Sequence, residues 1–190
     1  MKNHKIDQNN FHITLYVTLA FIVISLFIQP FGIIGFISGL LYAQTIEWFV
    51  HGWIQHHPFK IFRKYRMAHM KHHKNPSEPA SVQPVQYFII GSLPLILPFI
   101  YFDGFWLGYF IMYAIINIVH WDLHVDKRIL PTFIWNTDYF KFIESHHKKH
   151  HDGHTDNHTT HSVTNPYMDY FFDKIQLTKF NNYIAKHLKI

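Results

Sequence analysis

"FHITLYVTLAFIVISLFIQPFGIIGFISGLLYAQTIEWFV", residues 11–50, carries the reading that decides the fold. Residues 11–29 hold no formal charge. A bilayer core is crossed by about 20 apolar residues wound as a helix, so this block is a candidate span. Pro30 breaks it, and residues 31–50 form a second candidate whose one charge, Glu47, stands near its end. The link between them is only Gln29-Pro30, which reads as a helical hairpin. Two more apolar blocks follow. Residues 86–102 are interrupted by Pro94 and Pro98, and residues 105–121 come after the short link Asp103-Gly104. They read as a second hairpin.

Two plainer readings compete. A cleaved signal peptide would explain the first block, but no small-residue cleavage site follows and the second block begins almost at once. A soluble four-helix bundle would need polar outward faces, and these blocks have almost none.

The 190 residues suggest one domain. Net charge is +5, and the placement of that charge matters more than its size. Lys2 and Lys5 precede the first block. Lys60, Arg63, Lys64, Arg66, Lys71 and Lys74 lie between the second and third, and every other basic residue follows the fourth. If all four blocks span, all 17 basic residues fall on one side, which is the positive-inside pattern. The charge is explained without a nucleic-acid partner. The expected architecture is all-α: four transmembrane helices in two hairpins, with a cytosolic, helical, histidine-rich cap made of 51–85 and 122–190. The whole, residues 1–190, is expected to be a single multi-pass integral membrane domain with both termini cytosolic. A bacterial inner membrane is favoured over the endoplasmic reticulum. Trp48, Trp53, Trp106 and Trp121 fall near the expected interfaces and read as aromatic anchors.

There is no cysteine, so any metal must sit on His, Asp or Glu. The 18 histidines are not scattered. "HGWIQH" (His51 to His56) closes the second block, and His57 follows it. "HMKHH" supplies His69, His72 and His73 before the third block. "HWDLH" supplies His120 and His124 after the fourth. "HKKHH" supplies His147, His150 and His151 in the tail. On a helix, positions i, i+3 and i+4 share a face, so an H-x2-H-H unit aims its imidazoles in one direction. Neutral imidazole binds Zn, Fe, Cu or Ni. Ten nitrogens are too many for one ion and suit two.

This ordered set resembles the fatty acid hydroxylase / sterol desaturase superfamily of integral membrane, histidine-box oxygenases. "SVTNPYMDYFFDKI", 162–175, resembles the family's closing segment, although Met168-Asp169 stands where a Trp-Asp pair is usual and Asp173-Lys174 where Gly-Thr is usual. The resemblance covers about residues 35–175. It implies two metal ions, iron expected and zinc possible in a purified sample, with O2 as co-substrate. It also implies a lipid substrate and a separate electron-transfer protein. The expected ligands are His51, His56, His69, His72, His73, His120, His124, His147, His150 and His151. Further ligands or supporting contacts are sought among His146, His154, His158, His161, Glu47 and Asp122. Glu47 stands four residues before His51 and is expected to support its imidazole. Asp122 and Asp152 are weaker candidates, with a solvated surface charge as the plainer reading. Acyl desaturation, carotenoid or sterol hydroxylation, a non-enzymatic metal-binding membrane protein and an inactive family member are the alternatives.

Overall fold

The computed structural model describes residues 2–56, 60–75, 103–152 and 162–174. Its regular elements are all helical. They are α1 (Lys2–Ile28), α2 (Ile33–Trp48), a π-helical segment (Phe49–Ile54), a short 3-10 turn (Lys60–Phe62), α3 (Arg63–Lys74), α4 (Phe105–Asp122), α5 (Thr132–Trp135), α6 (Asp138–Asp152) and α7 (Tyr167–Lys174). Among the described residues, two stretches are long and apolar enough to cross a membrane, Phe11–Ile28 and Ile33–Gly52. The expected third span, 86–102, lies outside the described residues. The expected fourth falls on the 18-residue α4, which is not one of the two.

α4 is the partner on which both α1 and α2 chiefly pack. Phe11 stacks on Trp121 and Phe21 on Phe110, so α1 runs antiparallel to α4. α2 runs parallel to it, and the seam between them is made by glycine. A Cβ on Gly35 would collide with the Asp103 carbonyl, one on Gly39 with the Phe105 carbonyl, and one on Gly108 with the Phe36 carbonyl. Backbone meets backbone along this line, as small residues allow in apolar surroundings where close van der Waals packing drives association. At the end of the seam Gly104 adopts φ +79 against Gly32, a conformation that a side chain would strain. Chain-adjacent α1 and α2 are antiparallel, as a hairpin requires, but the packing partner common to both is α4.

The outward faces of α1 and α2 stay apolar. Val23, Phe27, Ile34 and Leu41 are all exposed, Phe27 at 84%. Polar side chains within these helices turn back onto their own backbone: Thr18 Oγ1 donates to the Thr14 carbonyl and Ser25 Oγ to the Phe21 carbonyl. On α4, Asn117 Nδ2 does the same to Tyr113. Such pairing is what a polar group needs away from water.

Because α2 and α4 are parallel, their C-terminal ends meet at one end of the bundle. A core of Ile46, Val50, Ile54, Tyr109, Met112 and Tyr113 fills the space below that end. A second cluster, Val119, Trp135, Ile143 and Val163, joins α4 to α5 and α6. Two tryptophans expected as interfacial anchors are instead buried. Trp48, 4% exposed, stacks on Phe172 and donates its ring N–H to Asp169, and Trp121 is covered by Phe11. Their large rings are used for packing between elements.

The seam makes a direct prediction. Gly39→Ala should lower the stability to thermal unfolding in detergent and Gly39→Leu should lower it further, by the about 1–3 kcal/mol typical of overpacking. Ile37→Ala, on the exposed side of the same helix, should change it little. Equal stability of Gly39→Leu and the parent would rule out the close seam.

Candidate metal centre

His51 reaches the centre through an unusual backbone. In an α-helix residues advance about 100° each, so His51 and His56, five apart, would point about 140° away from one another. The Phe49–Ile54 segment is π-wound, and the Gln55 N–H donates to the Val50 carbonyl at 3.0 Å. Five-residue winding restores both imidazoles to one side. Their rings lie 5.8 Å apart. Isolated π turns of this kind commonly mark functional sites.

The other boxes need no such device. α3 presents His69, His72 and His73 from one face, and α6 presents His147, His150 and His151 by the same spacing. His120 sits in the last turn of α4. His124 follows just past its end, where its N–H donates to the Trp121 carbonyl.

All ten imidazoles meet. Among the described residues, three sets have nitrogens within 4.8 Å of one another: His51, His56, His69 and His150; His72, His124 and His151; and His120, His124 and His147. His73 lies beside the first set and bridges toward the second, 4.6 Å from His150 and 4.5 Å from His151 between ring centres. The ring of His51 lies 5.8 Å from that of His120, which connects the first set to the third.

The nitrogen contacts suit a cation better than a hydrogen-bond chain. His69 Nε2 is approached by His56 Nε2 at 2.9 Å and by His73 Nε2 at 3.0 Å. His147 Nε2 is approached by His124 Nε2 at 2.8 Å and by His151 Nε2 at 3.1 Å. A neutral ring nitrogen offers one proton or one lone pair, so it cannot make two good bonds in the ring plane. In a tetrahedral site with bonds of about 2.0–2.1 Å, neighbouring nitrogens stand about 3.3 Å apart, close to what is seen. His120 Nε2 is buried with no hydrogen-bond partner among the described residues. The donors fit a metal, and their all-imidazole chemistry fits Fe, Zn, Cu or Ni.

The electrostatics agree. Burial pushes the pKa values of His69, His147 and His150 well below the ordinary imidazole range, and neighbouring imidazoles push them further. Burial takes His73 down to about 4, and burial with its histidine neighbours takes His151 to about 2. At neutral pH these rings are therefore uncharged, the form that ligates.

Three buried carboxylates surround the cluster, and each holds backbone in place. Glu47 Oε1 accepts the N–H groups of Val163 (2.6 Å) and Thr164 (3.0 Å), and Oε2 accepts the Thr164 hydroxyl (2.6 Å). Its contacts thus tie the tail to α2. Asp122 is 0% exposed, so it is no surface charge. It accepts the N–H groups of Ile129 and Leu130 and the Trp135 ring N–H, which fastens α5 to the end of α4 beside His120 and His124. Asp169 accepts from Trp48 Nε1, the Ser162 N–H and His146 Nε2. His146 therefore faces Asp169, while its neighbour His147 faces the cluster. Asp152 is exposed. His57, His154, His158 and His161 lie outside the described residues.

Sequence reasoning passed over Asp169 and Thr164 as site-supporting residues. The signal for Asp169 was its place in the closing segment, where it keeps the aspartate of the usual pair. Thr164 carried none, because hydrogen bonds donated by its N–H and hydroxyl to a carboxylate 117 positions away leave no trace in local pattern.

The model of the fatty acid hydroxylase family matches residues 36–174, well over half of the chain and including every one of the ten converging histidines. No curated protein and no solved structure matches the chain.

Protons compete with the cluster. The unfolded chain takes up protons as pH falls through the ordinary histidine value of 6.5, whereas folded His73 resists until about 4. Stability of the metal-free protein should accordingly be greatest above 6.5 and fall between those two values. Metal retained by the loaded protein should decline over the same window. Thermal unfolding and mass-spectrometric metal content across a pH series check both. A flat stability profile would mean that the imidazoles are solvated.

Proposed function

The chain belongs to the fatty acid hydroxylase family, and from that premise we propose that it is a membrane-bound di-iron oxygenase that hydroxylates a C–H bond of a lipid. The family consists of metal-dependent oxidoreductases that act at membranes on lipids. The further steps, to iron, to hydroxylation and to an external electron donor, are the proposal. The observation that carries it is the meeting of ten imidazoles at one end of an apolar bundle.

His51, His56, His69 and His150 would hold one ion. His72, His124 and His151, with His120 and His147 sharing the side of His124, would hold the other. His73 stands where the two sets face each other. When bound, the metal pair supplies the oxidising power toward an unreactive C–H bond that no side chain has. The protein supplies the rest. Burial keeps the imidazoles neutral and limits water. Asp122 fixes the end of α4, and Glu47 fixes the closing segment against α2. The apolar faces of α1 and α2 offer a lipid tail an approach from the bilayer. The one-sided basic residues support a multi-pass chain with its boxes on the cytosolic side. Imidazole sites take zinc readily, so a purified sample carrying zinc would not identify the working ion.

The test is product analysis. Iron-loaded protein in nanodiscs, given O2, a chemical reductant and extracted lipids, should yield lipid carrying one added oxygen atom derived from labelled O2. His72→Ala should reduce that yield by more than the about 10–100-fold typical of losing an outer partner of a ligand. Loss of two hydrogens without oxygen gain would assign a desaturase. Stoichiometric metal with no lipid oxidised under any reductant would leave a metal-binding membrane protein.

A further inference from the structure

The closing segment lies lower than a cytosolic cap should. It contacts the last turns of α2 inside the apolar stretch that ends at Gly52, and also α4 and α6, where Val163 packs with Val119 and Ile143 and Asp169 accepts from His146. Asn165 Nδ2 donates to Gln44 Oε1 at 3.0 Å. Val163 and Thr164 donate to Glu47. Asp169 accepts from Trp48, and Phe172 stacks on the same ring at 4.0 Å between centroids. At about 1.5 Å rise per residue, Gln44 to Trp48 lie about 6 to 12 Å below Gly52.

Two independent features suit that depth. First, residues 162–166 are not helical, and irregular backbone at membrane depth is tolerated only where protein satisfies it. Here it is satisfied: Ser162 N–H by Asp169, Val163 and Thr164 N–H by Glu47. This gives the carboxylate of Glu47, costly in an apolar span unless paired, a reason to be there. Second, α7 turns its large apolar side chains outward. Tyr167 is 66% exposed, Tyr170 63% and Phe171 55%. Phe142 and Tyr139 on α6 extend the patch, with Phe142 and Tyr167 rings 6.5 Å apart and the Tyr139 hydroxyl on the Thr164 carbonyl. Tyrosine and phenylalanine on an amphipathic helix are what the boundary between headgroups and acyl chains accepts.

We propose that residues 162–172 form an interfacial segment, with Tyr167, Tyr170 and Phe171 inserted into the headgroup and acyl-chain boundary of the bilayer. Their partner is the lipid surface itself. The proposal rests on α2 spanning the membrane. It places the loop clasped by Glu47 at the level where a lipid chain would pass from the bilayer toward the histidines.

The chain has no cysteine, so a single one can be labelled without background. Tyr170→Cys, carrying an environment-sensitive fluorophore, is placed in phosphatidylcholine nanodiscs containing lipids brominated at defined depths. Leu41→Cys, exposed on α2, reports the span, and Lys71→Cys, exposed on α3, reports the aqueous side. The Tyr170 label should be quenched severalfold more than the Lys71 label, most by lipids brominated near the headgroup. Tyr167→Cys provides a second site, equally exposed, should the first variant misfold. Quenching no greater than at Lys71 overturns the proposal. Protection from iodide without quenching by lipid also overturns it, because protein would then cover the patch. Failure of the Leu41 label to meet lipid removes the spanning reading along with it, and so is told apart from failure at Tyr170 alone.

Discussion

An amide N–H that leaves helical pairing in apolar surroundings must find another acceptor, and the molecule is arranged around meeting that demand. The chain turns irregular at 129–130 and at 162–164, beside the histidines. In each place a buried carboxylate accepts the freed N–H groups: Asp122, from the preceding helix end, for Ile129 and Leu130, and Glu47, from a distant part of the chain, for Val163 and Thr164. Asp169 does the same for Ser162 and adds Trp48 and His146. These clasps set the ends of α4, α6 and α7 relative to α2. The directions of the imidazoles follow from them.

The cluster itself gains little by being formed without a cation. His51, His69, His72, His147 and His150 are buried, burial suppresses the basicity of His69, His147 and His150, and several nitrogens face one another at about 3 Å. Removing polar groups from water without full pairing is unfavourable, so the scaffold must hold them together. The glycine seam contributes, because parallel α2 and α4 in backbone contact bring His51 and His120 to the same end of the bundle. A bound metal would return some of that free energy, so binding and folding are coupled here. The sides of the bundle, along α1 and α2, stay apolar.

The π winding at Phe49–Ile54 shows how a spacing and a backbone explain each other. The i to i+5 spacing of His51 and His56 fits neither the i+3 nor the i+4 rule. Only a wider turn reconciles them. The two H-x2-H-H boxes obey the α-helical rule outright, and for that reason they were readable as single-faced ligand units before any coordinates.

Local chemistry is what the sequence by itself determined. Runs of uncharged residues announce apolar helices because helical pairing satisfies every interior amide. Box spacing announces shared faces, the absence of cysteine restricts donors to nitrogen and oxygen, and Pro30 marks a break. Pairing between distant segments was left to the tertiary structure. Glu47 was expected beneath its neighbour His51 and instead holds Val163 and Thr164. Asp122 reads as a possible surface charge and is wholly buried. Trp48 and Trp121 read as anchors and are packed inside. In each case the residue type fixes how many bonds or how much area the side chain must satisfy, while only the folded arrangement decides which distant group satisfies it.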